Sequence, residues 1–331
     1  MTILALETSC DETAVAVLRD EELLASEVAS QFAAHQPYGG VVPEVASRHH
    51  LQNAPRLLDR ALAEAAISLG EIDAFAATSG PGLASSLMIG ASLAKGLALG
   101  LARPYLAINH LEGHLLSPFF GSKNAVEPNV SLIVSGGHTL LVEVREVGDY
   151  KILGRTLDDA AGEAFDKVAK MLGFAYPGGP KIERCAEGGD PARFNLPRSM
   201  LHSLDFNFSF SGLKTAVRYL LPKLVCSPEV DRDLCASFQR AVVDVLVGKT
   251  IAAAQAVGLN LVTLSGGVSC NRELSKELAS ACQRAGLASR VAPHHLCTDN
   301  AAMIAFAAML RLERGETTPL STEINPNLAL A

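Results

Sequence analysis

Ile3-Leu4-Ala5-Leu6, Glu7-Thr8-Ser9-Cys10-Asp11-Glu12 and Thr13-Ala14-Val15-Ala16-Val17-Leu18 follow one another near the start of the chain. Two apolar runs of strand length flank a polar turn, which predicts a β-hairpin. The same order returns as Val130 to Ser135, Gly136-Gly137-His138-Thr139 and Leu140 to Val144. An offset of about 125 positions between two such units points to a duplicated architecture with one polar turn in each half.

Outward from the first hairpin, apolar strand-length runs alternate with segments of helical period, the pattern of an α/β protein. Leu51 to Ala66 sets Leu51, Leu58, Leu62 and Ala65 or Ala66 on one stripe and predicts an amphipathic helix. Phe75 to Thr78 reads as a strand, followed by Ser79-Gly80-Pro81-Gly82 and a helix carrying Leu83, Leu87, Ala91, Ala94 and Ala98. Strand, glycine turn, helix is the order of an anion-binding βα unit. A third such turn runs from Leu261-Val262-Thr263-Leu264 into Ser265 to Asn271, with a helix after it. The expectation is two α/β lobes whose loops face one cleft, with a join between about 110 and 128.

Composition sets the outer limits. A chain of 331 residues, 49% hydrophobic and 19% charged, has material for two packed cores and none of the signature of disorder. The formal net charge of −7 excludes attachment to nucleic acid by bulk positive charge, so any such contact must be local or shared with a partner. Seven scattered cysteines, Cys10, Cys185, Cys226, Cys235, Cys270, Cys282 and Cys297, include no C-x-x-C pair. That argues against a disulfide framework or a cysteine zinc cage and for a reducing cytosol. The N-terminus shows no basic leader, and no apolar run reaches the roughly 18 residues of a membrane span, so a soluble, cytoplasmic protein without membrane attachment is expected.

None of the three glycine turns matches a P-loop or a Rossmann fingerprint. Together they suggest a cradle for a nucleotide phosphate, because glycine lets backbone amides approach an anion closely; ordinary glycine-punctuated turns are the plainer account. His110-Leu111-Glu112-Gly113-His114 is the sharpest local signal. Residues i and i+4 share one helix face about 6 Å apart along the axis, so two imidazoles there can grip one ion. A zinc-protease helix carries glutamate directly after the first histidine, where this chain has Leu111, and Glu112 falls on another face. Asp299 is a candidate third ligand, opening the apolar helix Ala301 to Leu312; simple capping of that helix is its alternative role. Two histidines and one carboxylate leave open coordination positions and suit Fe²⁺ or Zn²⁺. Finally, Lys181 to Lys223 holds seven basic against four acidic side chains, interleaved with Phe194, Phe206, Phe208, Phe210 and Tyr219. Single-stranded RNA readers combine such groups, and a packed loop with a solvated rim combines them equally well.

Over nearly its whole length the sequence resembles the tRNA adenosine threonylcarbamoyltransferases. The resemblance rests on Glu7 to Thr13, Pro43 to His50, Ser79 to Gly82, His110 to His114, Ser135 to Thr139, Leu157 to Lys167, Tyr176 to Pro180, Phe210 to Thr215 and Ser265 to Asn271. It implies two ribonuclease-H-like lobes of the actin-like, sugar-kinase and heat-shock ATPase superfamily with an interlobe cleft. The lobes are expected at 1–125 and 126–331, leaving open a return of the last helix to the first. The implied reaction moves a threonylcarbamoyl group from threonylcarbamoyl-AMP to the exocyclic amine of the adenosine 3′ of the anticodon, in tRNAs reading ANN codons, releasing AMP.

Carried over by position, the metal ligands fall on His110, His114 and Asp299, with one divalent ion per subunit, Fe²⁺ before Zn²⁺. Substrate contacts fall on Ile133, Val134, Ser135, Gly136, Gly137, Asp166, Gly179 and Asn271, and on Glu183, where the family often has aspartate. Asp11, or Glu12 beside it in the first hairpin turn, is the candidate base for the attacking amine. A non-catalytic paralogue and a small ATPase are the implied protein partners, and tRNA is expected along Lys181 to Lys223, Arg193 and Arg198 included. A kinase or ATPase of the same superfamily, a metalloprotease and a non-catalytic scaffold are the competing readings.

Overall fold

The structure, a computed structural model, describes residues 1–122, 126–225 and 227–331. Cys226 and the expected lobe end at residue 125 lie outside the described residues. Packing divides the chain into two compact units, Met1–Val126 with Thr298–Ala331, and Glu127–Cys297.

The first unit opens with β1 (Thr2–Glu7), β2 (Glu12–Arg19) and β3 (Glu22–Ser30). There follow α1 (Phe32–His35), α2 (Pro43–Glu64), β4 (Ala74–Gly80), α3 (Ala84–Gly100), β5 (Tyr105–Asn109) and α4 (His110–Leu116). The expected hairpin is present: β1 and β2 pair antiparallel with Leu4 opposite Val17. The sheet order is β3-β2-β1-β4-β5, with β1, β4 and β5 parallel. Leu4, Leu6, Val15 and Val17 share one core with Ala54 and Leu57 of α2 and Ala91 and Ala94 of α3.

Helix α2 starts eight residues before Leu51, with Pro43 in the first turn, where the missing N–H would have no helical partner anyway. Its buried face is Ala46, His50, Ala54, Leu57, Leu58 and Ala61, whereas Leu51, expected on that stripe, is 66% exposed. The polar His50 can be buried because its imidazole bonds Thr13 Oγ1 at 2.9 Å and the Cys10 carbonyl at 2.9 Å.

The second unit repeats the plan. Its first strands are β6 (Asn129–Val134), β7 (Thr139–Glu146) and β8 (Asp149–Arg155). Helices α5 (Ala161–Met171), α6 (Gly179–Ala186), α7 (Ser211–Leu220) and the 30-residue α8 (Pro228–Val257) follow, then β9 (Leu261–Ser265), α9 (Arg272–Arg284) and β10 (Ala288–Val291). The order β10-β9-β6-β7-β8 is that of the first sheet, with β6 for β1 and β7 for β2, as the repeated strand-turn-strand pattern predicts. Phe165, Phe238, Leu246 and Leu264 lie in its core.

The chain then returns to the first unit as α10 (Ala301–Glu313), which packs on β1, β2 and α4. With α10 in place Ile3, Ala5, Ala14 and Ala16 are also fully buried, so β1 and β2 are covered on both faces.

Candidate functional site

Helix α4 begins where β5 ends. Asn109 caps it, its Oδ1 accepting from Leu111 N at 2.9 Å while its Nδ2 donates to the Ala329 carbonyl. His110 therefore stands at the carboxyl end of a parallel strand, and His114 one turn further on, with the two rings 4.8 Å apart and edge to face. Helix α10 crosses α4 at Gly113, where a Cβ would come within 2.9 Å of Ile304 and 3.0 Å of Met303. This close approach carries the start of α10 to the histidines: Asp299 Oδ1 lies 3.1 Å from His114 Nε2 and 3.5 Å from His110 Nε2. Asp299 does not cap α10; Asn300 does, its Oδ1 accepting from Met303 N at 2.8 Å. A cap side chain must fold back over the first turn, and with Asn300 in that position Asp299 faces α4.

His110, His114 and Asp299 each offer one ligand atom, all within 4.8 Å of one another. Around them the set is prepared for a cation. His110 Nδ1 donates to Glu7 Oε2 at 3.0 Å, which turns its Nε2 toward Asp299, the carboxylate-histidine arrangement of metal sites. Glu7 is itself held, Oε1 accepting from Ser9 N and Oε2 from Thr78 Oγ1, each at 2.5 Å. Asp11, 5% exposed, has an Oδ2 buried without a hydrogen-bond partner. Burial, then the charges of Asp299 and Asp11, push the Glu12 carboxyl well above the ordinary range. Burial pulls His110 down, but Asp299 and Glu7 outweigh it and raise it to about 9, while burial holds His114 below its ordinary value. Buried carboxylates in this number favour a positive charge among the imidazoles, and a divalent ion fits the nitrogen and oxygen donors present.

Glu112 takes no part in this set. It is 1% exposed, and its Oε2 accepts from Arg311 Nε of α10 at 2.8 Å, so it braces the helix pair.

All nine expected substrate contacts lie in the second unit. Ile133 and Val134 end β6 with fully buried side chains, leaving only their backbone for a ligand. Gly136 and Gly137 are exposed with open space where a Cβ would sit, and the turn closes through Ser135 N to the His138 carbonyl at 2.8 Å. Helix α5 starts against that turn, since a Cβ on Gly162 would meet the Ser135 carbonyl at 2.5 Å. Asp166 of α5 accepts from Gly178 N at 2.6 Å and so anchors the start of α6, which bears Gly179 and Glu183. Glu183 Oε1 accepts from Arg272 N at 2.9 Å, and Asn271 caps α9 while donating to Gln239. These residues gather at the carboxyl ends of the parallel pair β6 and β9, where open α/β sheets hold ligands.

One expectation needs correction and a second narrows. The Ser79 to Gly82 turn is filled by protein: Gly82 N donates to the Pro326 carbonyl at 3.1 Å and Leu83 N to the Ser9 carbonyl at 2.8 Å. Its glycines are required by close packing, since a Cβ on Gly80 would sit 1.9 Å from the Asn325 carbonyl oxygen. In the Lys181 to Lys223 segment, Arg193 is committed to Asp233 at 2.5 Å and Arg198 to Asp244 at 2.9 Å. Phe208 and Phe210 are buried in the core, and Phe194 and Phe206 pack on it, so of the five aromatics Tyr219 alone is exposed. Arg193 and Arg198 have carboxylate partners and the phenyl rings a core, neither of which local composition reveals.

Two five-strand sheets of identical order, each antiparallel through its first three strands in the chain and parallel through the remaining two, define a protein of the actin-like ATPase fold class. Solved structures agree at the level of fold. HypF of T. kodakarensis superposes with a TM-score of 0.64 at 16% identity, covering 95% of this chain and 48% of that one. The (R)-2-hydroxyglutaryl-CoA dehydratase component A of Acidaminococcus fermentans gives 0.56 at 15%, covering 93% and 99%.

The chain belongs to the tRNA N6-adenosine threonylcarbamoyltransferase family, whose model matches residues 22–306. A relative of that name from Paracidovorax citrulli is 53% identical over 324 residues, 96% of this chain and 93% of its own. Another from Thermosipho melanesiensis is 48% identical over 330 residues, the whole of both. The protein is accordingly a transferase that modifies tRNA at adenosine N6.

Proposed function

We propose that His110, His114 and Asp299 hold one divalent ion, Fe²⁺ before Zn²⁺, and that threonylcarbamoyl-AMP is the donor. The observation that carries this reading is the convergence of three ligand atoms within 4.8 Å in a chain of this family. When bound, the ion supplies Lewis-acid polarisation of the donor carbonyl and offsets the charge that develops in the transition state. Glu7 keeps His110 in the ligating tautomer. The backbone from Ile133 to Gly137, together with Asp166, Gly179, Glu183 and Asn271, holds the adenylate portion of the donor.

The adenosine amine is a weak nucleophile because its lone pair is delocalised into the ring. Its nitrogen attacks the carbonyl carbon, the C–N bond forms, the bond from that carbon to the phosphate oxygen breaks, and AMP leaves. The unpartnered Oδ2 of Asp11 supports assigning it the departing proton. The net charge of −7 supports sharing tRNA with partner proteins, a non-catalytic paralogue and a small ATPase. A cytoplasmic setting is consistent with the six free described cysteines and with the absence, among the described residues, of a helix long and apolar enough to cross a membrane.

Single-turnover transfer from threonylcarbamoyl-AMP to tRNA, beside elemental analysis of anaerobically purified protein, tests the reading. One ion per chain and a product on adenosine are expected. Peptide cleavage that needs Glu112, or ATP hydrolysis indifferent to His110→Ala, would instead favour the protease or the kinase.

A further inference from the structure

In the second unit, an open pocket of about 530 Å³ is lined by Lys167, Lys170 and Met171 of α5 and by Lys214, Thr215 and Arg218 of α7. Four of these six side chains are basic in a chain of net charge −7. Two already have carboxylate partners: Lys167 Nζ lies 2.7 Å from Asp159 and 2.8 Å from Glu163, and Lys214 Nζ lies 2.8 Å from Asp159. Lys170 and Arg218 are exposed and form no ion pair among the described residues. Lys214 and Arg218 stand four apart on α7, a spacing at which like charges repel unless an anion lies between them. Beside them Tyr219 is 68% exposed, a large ring with no core to enter.

We propose that this α5–α7 surface docks the phosphate backbone of the RNA substrate. The proposal rests on the tRNA-transferase reading and adds where this chain grips the nucleic acid. Lys170 of α5 and Arg218 of α7 face solvent as cations without a carboxylate partner among the described residues, one on each helix, which suits two phosphates of one strand rather than a single anion, and Thr215 offers a hydroxyl to the same chain. Tyr219 supplies a face on which an unpaired base can stack, a contact that an acidic polypeptide does not use. The surface is continuous with the donor-holding elements of its own unit, since Asp166, which anchors the Gly178-Gly179 turn, directly precedes Lys167 on α5.

The test is tRNA binding to the full chain, followed by fluorescence anisotropy across a salt series, with the double variant Lys170→Glu/Arg218→Glu. Both side chains are exposed, and an unchanged thermal midpoint confirms the fold; should the double variant not fold, Lys170→Gln/Arg218→Gln replaces it, with about half the effect. Loss of two phosphate contacts should raise Kd at low salt at least ~10-fold and flatten the slope of log K against log salt by roughly 1.5–2. Tyr219→Ala should weaken binding with the slope unchanged.

Unchanged affinity and slope in the double variant would overturn the proposal, and so would no measurable tRNA binding by the wild-type chain at low salt. Equal weakening toward poly-glutamate would make the surface a general acid binder, and displacement of tRNA by inorganic phosphate would assign it to a small anion; either result overturns it. Single-turnover transfer by the wild type separates the two readings. With the proposed partner proteins supplied, absent transfer beside intact, salt-sensitive tRNA binding defeats the proposed donor and ion chemistry alone, whereas normal transfer with an indifferent double variant defeats only the docking surface.

Discussion

Glu112 Oε2 and Arg311 Nε are 2.8 Å apart, joining α4 to the far end of α10 through a carboxylate that is 1% exposed. The residue that a hydrolytic reading would make a base is thus a brace. Glu112→Ala leaves Arg311 with Glu316 as a remaining partner. It should lower unfolding stability by on the order of 1–3 kcal/mol in a denaturant titration while the ion content per chain stays the same. Loss of the ion with stability intact would contradict the brace.

Glu7 is outside the ligand set and acts on it through His110 Nδ1 at 3.0 Å. Glu7→Gln preserves volume but removes the charge that orients the imidazole. Metal affinity, measured by chelator competition, should fall roughly 10–100-fold. An affinity within a factor of two of wild type would remove Glu7 from the site.

Asp299 and Asn300 are adjacent and predict opposite outcomes. Asn300 Oδ1 caps α10 through Met303 N, so Asn300→Ala should cost roughly 0.5–2 kcal/mol of stability with the ion retained. Asp299→Ala removes a carboxylate 3.1 Å from His114 and should leave the chain largely ion-free by elemental analysis, with little change in unfolding midpoint. Reversed outcomes would return Asp299 to a capping role.

Asp159 gives a pH signature in the second unit. Burial pushes its carboxyl up, but the hydrogen bonds and charges of Lys167 and Lys214 outweigh burial and hold it below the ordinary aspartate value. A folded-state pKa below the unfolded one stabilises the fold above the unfolded pKa, and that stability is lost as pH falls through the folded value. The difference in stability between wild type and Asp159→Asn should therefore be constant from pH 7 to about 5 and shrink below about 4. A difference that grows on acidification would refute the pairing.

The repeated hairpin, the third glycine turn and the His110/His114 spacing were legible because each is a local pattern. Strand alternation and the helical turn are set by bond geometry within a few residues, so Leu4 against Val17 and the two imidazoles on one face follow from the chain itself. The face of α2 differs from the expected stripe at Leu51, because burial of His50 depends on Thr13 and the Cys10 carbonyl, which no periodicity shows. Arg193 and Arg198 looked available for RNA for the same reason: their partners Asp233 and Asp244 lie 40 and 46 positions away.

By itself the sequence determined the class of both sheets, the repeat of one plan in each unit, the histidine pair and the family. Only the tertiary structure decided that Asp299 rather than Asn300 faces that pair, 185 positions away in the chain, and that Glu112 turns from it to Arg311. The physical reason is the crossing of α4 and α10: the space left by Gly113 brings the helices close enough for Met303 and Ile304 to pack against it, and that approach carries the start of α10 to the histidines. Such a distance depends on side-chain volumes from two remote segments meeting at once, which local geometry does not encode.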